Sequence, residues 1–237
     1  MALRYILQLL PAGSGTLSPI LANEFPDDTD SARANVLYTR NLTRVIEYAP
    51  ELRADILALI TEKLVKIDVQ IQVDMDDFED EVGQDLLQDL SRPIDLETEE
   101  SDESSDDDDD DEEADRLKMV KENIRKIDSM IDDLFEFYSP PFAHGTDDEK
   151  NNALDLLIAH FESIILPTYR SRHTQFLLFH FAQCSTALVE RFAATCIHII
   201  LSKTQPAIMR QSAAAYLGSF MARGKHVSPH VVRDTFF

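Results

Sequence analysis

The chain has 237 residues, 44% of them apolar, with six glycines, no tryptophan and a formal charge of −22. That length and apolar content suffice for one sizeable core or for a row of helix pairs sharing one. The scarcity of glycine beside abundant Leu, Ile, Ala and Glu points to helices with short connections and away from a β-rich domain with its many tight turns. The acidity is local: residues 73–115 hold 23 acidic residues and one basic residue, Arg92, while the other 194 residues hold 21 of each sign. The neutral remainder has no basic face broad enough for sequence-specific DNA binding.

Two segments bear on compartment. MALRYILQLL is too short and too interrupted by Gln8 for a signal peptide. Thr174 to Val189, the longest charge-free apolar stretch, contains His180, Gln183 and Ser185 and falls short of a membrane span. Cys184 and Cys196 have neither the spacing of a secreted disulfide scaffold nor that of a CxxC pair, so the expectation is an intracellular, soluble chain with reduced, buried thiols.

In chain order, Gly13-Ser14-Gly15-Thr16 reads as a small Gly-rich loop, without the GxxxxGK[ST] spacing that cradles phosphate; Gly224-Lys225 has the wrong context too. Ser31, after the Pro26-Asp27-Asp28 turn, is placed to cap a helix running to about Ala49, where Pro50 breaks it and opens the next. In that next helix Leu52, Ile56, Leu59, Ile60, Leu64 and Ile67 recur at three and four, which defines one buried face. Periodicity fades over 73–115, where ESDESSDDDDDDEEAD concentrates more like charge than a packed core tolerates, and the stretch reads as a disordered insert.

Helical pattern returns at Arg116, with Leu117, Val120, Ile124, Ile127, Ile131, Leu134 and Phe135 on one stripe, and Pro140-Pro141 is expected to end it. Thr146 and Asp147 start a helix expected to stop before Pro167. The following FLLFHFAQCSTALVERFAATCIHIIL is apolar on nearly every side, with a bend or exposed corner expected at Glu190 and Arg191. A last helix opens at Pro206 and ends at Gly224; its Ser212, Ala213, Ala214, Ala215 and Gly218 would permit close helix approach. Phe236-Phe237 closes the sequence with nothing after it to cover two aromatics, which suggests a piece of a longer protein.

Serial amphipathic helices with proline near their starts describe an all-α, HEAT-like helical-repeat solenoid: repeats over 1–72, the acidic insert over 73–115, and repeats over 116–237. No strict internal period is present. Such folds expose long surfaces for protein partners.

Three stretches carry a more specific likeness. IEYAPELRADILALITEKLVKIDVQIQ, HFESIILPTYRSRHTQFLLFHFAQ and PAIMRQSAAAYLGSFMARGKHVSP resemble the RNA polymerase I-specific transcription initiation factors of the TIF-IA type, in their central portion. The third is the most specific, because its PAI.RQ.A..Y.GSF.AR pattern is more detailed than a repeat helix requires. The resemblance implies a HEAT-repeat protein that binds RNA polymerase I and carries it to promoter-bound factors at ribosomal RNA genes, under phosphorylation control, in the nucleus and nucleolus. A homodimer is compatible with the sequence.

Other chemistry finds little support in the residues. His180 and Cys184 stand at i and i+4, as two metal ligands would, but their Phe and Leu neighbours favour a core histidine and core thiol. No GxSxG, HExxH or paired carboxylates appear, so neither an enzyme nor a cofactor is expected. Asp106 to Asp111 lacks the glycine and spaced glutamate of an EF-hand loop. Ser101, Ser104 and Ser105 are candidate phosphorylation sites; Ser104 and Ser105 have Asp107 and Asp108 three residues on, the pattern acidophilic kinases of the casein kinase 2 kind prefer. Arg170, Arg172 and His173 after Pro167, with Arg210, Gln211, Arg223 and Lys225 on the last helix, form the candidate partner surface, set against an alternative role as intra-repeat salt bridges. The competing function is a HEAT-type scaffold or transport factor whose acidic loop binds histones or other basic cargo.

Overall fold

The computed structural model describes residues 2–9, 13–76, 108–168, 171–228, 230 and 233. Among them every regular element is a helix: α1 (Ala2–Leu9), α2 (Ser14–Asn23), α3 (Ala32–Tyr48), α4 (Arg53–Asp76), α5 (Asp108–His144), α6 (Asp147–His160), α7 (Gln175–Ala182), α8 (Thr186–Leu201) and α9 (Ala207–Arg223). A 3-10 turn, Pro50–Leu52, joins α3 to α4, and α6 continues through a π turn, Phe161–Ile165, into Leu166–Thr168. Residues 77–107, which include Ser101, Ser104 and Ser105, lie outside the described residues, as does Arg170. Two compact units divide the chain, 1–133 and 134–237, and the division falls inside α5.

In the first unit Ser31 caps α3 as expected, its hydroxyl accepting from the Ala34 N–H at 3.3 Å. The α3 core face, with Val36, Leu42 and Ile46, meets Ile56, Leu57, Ile60 and Leu64 of α4 in the interior. Gly13 to Thr16 is no loop: α2 starts at Ser14, and the Thr16 hydroxyl donates to the Gly13 carbonyl at 2.8 Å. Helix also enters both flanks of the stretch read as insert, α4 running on to Asp76 and α5 starting at Asp108. Acidic residues are favoured at a helix N-terminus, where the dipole presents positive charge, so an aspartate run there can begin a helix.

The buried stripe of α5 is rotated from the apolar reading. Val120, Ile127 and Leu134 are buried, but Leu117, Ile124 and Ile131 are only partly covered, and Asn123, Lys126 and Asp133 are buried in their place. Each polar intruder has a use, Asn123 Oδ1 accepting from Lys126 Nζ at 3.4 Å. Lys126 Nζ donates to the Asp28 carbonyl at 2.6 Å, and Asp133 takes a two-oxygen bond from Arg40 Nε at 2.9 and 3.0 Å. Lys63 Nζ donates to the Pro26 carbonyl at 2.6 Å and pairs with Asp28 at 3.0 Å, and Lys66 pairs with Asp28 at 2.6 Å. Three lysines thus pin the 26–30 turn against α4 and α5.

In the second unit α5 passes through Pro140 and Pro141 to His144 instead of stopping at them. The prolines deprive only the carbonyls of residues 136 and 137 of a donor, in the last turns of the helix. Phe142 holds those turns down, stacked on Phe181 at 4.5 Å, and the Gly145 N–H closes the end on the Pro141 carbonyl at 3.0 Å.

Thr146 begins α6 with a capping box: the Glu149 N–H donates to the Thr146 hydroxyl at 3.3 Å, while Glu149 Oε2 accepts from the Thr146 N–H at 2.7 Å. The Thr146 N–H and, at 3.0 Å, its hydroxyl both donate to Glu149 Oε2 and hold that carboxyl below its ordinary value, so its contribution to stability is full above the usual carboxylate range and is lost as pH falls through the lowered pKa. Thr146→Ala is expected to cost about 1 kcal/mol in a urea melt at neutral pH, with a smaller difference in acid.

The helix also outlasts Pro167, ending at Thr168, because the π turn immediately before it, with Leu166 N–H bonded to the Phe161 carbonyl, widens the backbone where proline would crowd an α-turn. The expected bend at Glu190 and Arg191 lies instead at Gln183 to Ser185, where the Ser185 hydroxyl accepts from the Leu188 N–H and restarts the helix. Glu190 and Arg191 are exposed in mid-helix, and Arg191 reaches α6 by pairing with Asp155 and Asn151. The interior is aromatic: Phe192 meets Phe161 at 5.4 Å, Phe179 at 5.7 Å and Phe220 at 4.9 Å. Cys196 is buried, and burial pushes its thiol up to about 12. Cys184 and His180 are exposed, contrary to the expected core pair, because both sit on the outer side of the α7 end.

A groove between the 171–175 loop and the last helix

α9 shows why its sequence is so mixed. Ser212, Ala213, Tyr216, Leu217, Phe220 and Met221 are buried, and Tyr216 packs edge-on against Phe161 at 5.2 Å. The Tyr216 hydroxyl donates to the Ser171 carbonyl at 3.3 Å, and Gln175 Nε2 donates to the Arg172 carbonyl at 2.6 Å. The first of these bonds ties the Ser171 end of the segment from Ser171 to Gln175 to α9, and the second folds the segment on itself. Between this segment and α9 runs a groove of about 370 Å³ lined by Ser171, Gln175, Ile208, Gln211, Ser212, Ala215, Tyr216 and Ser219.

Of the expected partner surface, Gln211 lines this groove. Arg172 adjoins it, exposed, and Arg223 reaches its far end by donating to the Ser219 hydroxyl. His173 is exposed in the same loop, where its carbonyl accepts from the Phe176 N–H at 2.9 Å. Arg210 has a different task, since its Nε donates to the Ile200 carbonyl at 2.8 Å and so joins the end of α8 to the start of α9. Lys225 is exposed beyond α9, in a turn whose His226 N–H donates to Gln183 Oε1 at 3.2 Å.

Ser171, Gln175, Ile208, Ala215 and Ser219 went unnoticed in the sequence as site residues. The small residues of α9 were read as packing aids, yet Gly218 faces open space and Ala214 and Ala215 are exposed. The signal available was the run of small and polar residues itself, in a helix whose neighbours are apolar. The groove mixes hydroxyl and amide groups with the half-exposed Ile208 (50%) and is edged by two arginines, which suits a polypeptide chain. Among the described residues no three His, Cys, Asp or Glu side chains gather as a metal site, and no helix is long and apolar enough to cross a membrane.

The fold defines the class: an all-α protein of the helical-repeat kind. The family model described as RNA polymerase I specific transcription initiation factor RRN3 matches residues 1–237, and the chain belongs to that family. The chain is 26% identical to RNA polymerase I-specific transcription initiation factor rrn3 of Schizosaccharomyces pombe, covering 98% of this chain and 40% of that protein. It is 32% identical to RRN3 of Mus musculus, over 95% of this chain and 35% of the relative. The crystal structure of the RNA polymerase I transcription initiation factor Rrn3 matches with a TM-score of 0.71 at 26% identity, over 95% of this chain and 40% of that one. The chain therefore spans well under half the length of these relatives.

Proposed function

We propose that the chain is a polymerase-contacting part of an RNA polymerase I initiation factor, which binds the polymerase and brings it to promoter-bound factors at ribosomal RNA genes through protein contacts. The observation that carries this reading is the groove: the two most downstream family-like stretches, one containing Ser171 and Gln175 and the other forming α9, line the same depression. Residues with a purely internal packing role would not leave Gln211, Ala215 and Ile208 outside. Arg172, His173, Gln211 and Arg223 form the contact surface, with Lys225 at its margin. The work is done in the nucleus and nucleolus, admits a second copy of the chain, and is tuned by phosphate on Ser101, Ser104 or Ser105, which adds negative charge to an acidic stretch. Affinity capture on the tagged chain from nuclear extract tests it. Recovery of RNA polymerase I subunits supports the proposal, and recovery of histones or import cargo without polymerase overturns it.

A further inference from the structure

The outer face of α3 has no part in the groove and has an unusual makeup. Arg33, Leu37, Arg40 and Arg44 recur at four, three and four, so they share one stripe, and all four are exposed, Leu37 by 49%. Arg40 is engaged by Asp133, but among the described residues Arg33 and Arg44 make neither hydrogen bond nor ion pair; the single acid on the stripe, Glu47, stands at its C-terminal end.

The helices around α3 fix where the acidic segment is anchored. Lys63 and Lys66 of α4 meet the 26–30 turn at the N-terminal end of α3, and α4 then continues ten residues, about 15 Å, to Asp76. Glu122 of α5 accepts from the Ala32 N–H, while Asp133 meets Arg40, so α5 runs in the same sense as α3 and its start at Asp108 lies about 21 Å before that end. Both anchors therefore project past the same end of α3, the end that carries Arg33. Residues 77–107 between them hold 14 acidic residues and one basic residue. Thirty-one residues reach about 100 Å when extended, several times the run of about 17 Å from Arg33 to Arg44.

We infer that the Arg33–Leu37–Arg44 stripe is a docking surface for the chain's own acidic segment, residues 77–107. Attachment at both ends keeps the local concentration of carboxylates high, so weak single contacts suffice. Leu37 between the arginines favours a polypeptide, with its own apolar side chains such as Leu86 and Leu87, over a nucleic-acid backbone. Because Arg33 and Arg44 are solvent-exposed, docking is sensitive to salt.

The test is cleavage of the full chain by a Glu-specific protease, which has Glu79, Glu81, Glu97, Glu99, Glu100 and Glu103 available within the segment. For the natural sequence, raising salt from about 20 mM to about 500 mM is expected to speed cleavage there at least threefold. In R33E/R44E cleavage is already fast at low salt, and in R33K/R44K protection is retained in part. Melting curves confirm that each variant is folded, with R33Q/R44Q replacing the charge reversal if it is not. Equal cleavage of the natural chain and the folded variant at both salts overturns the proposal. So does binding of single-stranded DNA through Arg33 and Arg44 that leaves cleavage unchanged, since the stripe would then belong to nucleic acid.

Discussion

Phe192→Ala is expected to destabilise the second unit by about 3–5 kcal/mol, the cost of a large cavity in a packed interior. Phe192 is wholly buried and touches an aromatic ring from each of three other segments, the π turn, α7 and α9. Its removal strips contacts from Phe161, which in turn supports Tyr216 beside the groove. Phe192→Leu, which keeps most of the volume, should cost less than half as much. Urea denaturation followed by far-ultraviolet circular dichroism measures both. A shift below about 1 kcal/mol for the alanine variant would show that the aromatic cluster is not the core of this unit.

Lys126→Ala is expected to cost about 2–3 kcal/mol in the first unit, through the lost charge-assisted bond to the Asp28 carbonyl and the lost burial of its four-carbon stem. The side chain is only 2% exposed, yet it holds the 26–30 turn in place. The pH dependence identifies the cause. Burial lowers the Lys126 pKa, opposed by the nearby Glu122 carboxylate, so between the folded value and the ordinary 10.5 the unfolded chain binds more protons than the folded one. Stability from this group therefore rises with pH across that window, and the alanine variant lacks the rise. Melting both proteins from pH 8 upward checks it; parallel curves would mean that Lys126 is not desolvated.

The helices from α3 onward were largely legible from the residues, because periodic apolar positions such as Ile56, Ile60, Leu64 and Ile67 report directly on a buried face, whereas α1 and α2 were not anticipated. The Ser31 and Thr146 caps were readable for the same local reason. What failed was everything decided by tertiary partners. Pro140 and Pro141 look like terminators until Phe142 is seen stacked on Phe181. Lys126 and Asp133 look like surface residues until the 26–30 turn and Arg40 supply their partners, and Asn123 until Lys126 Nζ is seen donating to its Oδ1. The candidate surface divided likewise: charge alone cannot distinguish Arg223, beside the groove, from Arg210, which fastens α8 to α9. Ala215 and Ser219 carry no charge to attract notice, and only the fold of the 171–175 loop over α9 makes them a lining.

The most direct measurement is equilibrium binding of purified RNA polymerase I to the chain and to two variants, A215W, which fills the groove from an exposed position, and R172E/R223E, which reverses charge beside it. Both variants should melt with the natural chain, since neither Ala215 nor the arginines are buried. The account predicts saturable binding by the natural chain, weakened at least tenfold, about 1.4 kcal/mol, in each variant, with the R172E/R223E deficit shrinking as salt rises. Binding that is absent from the natural chain, or unchanged in both folded variants, would contradict it.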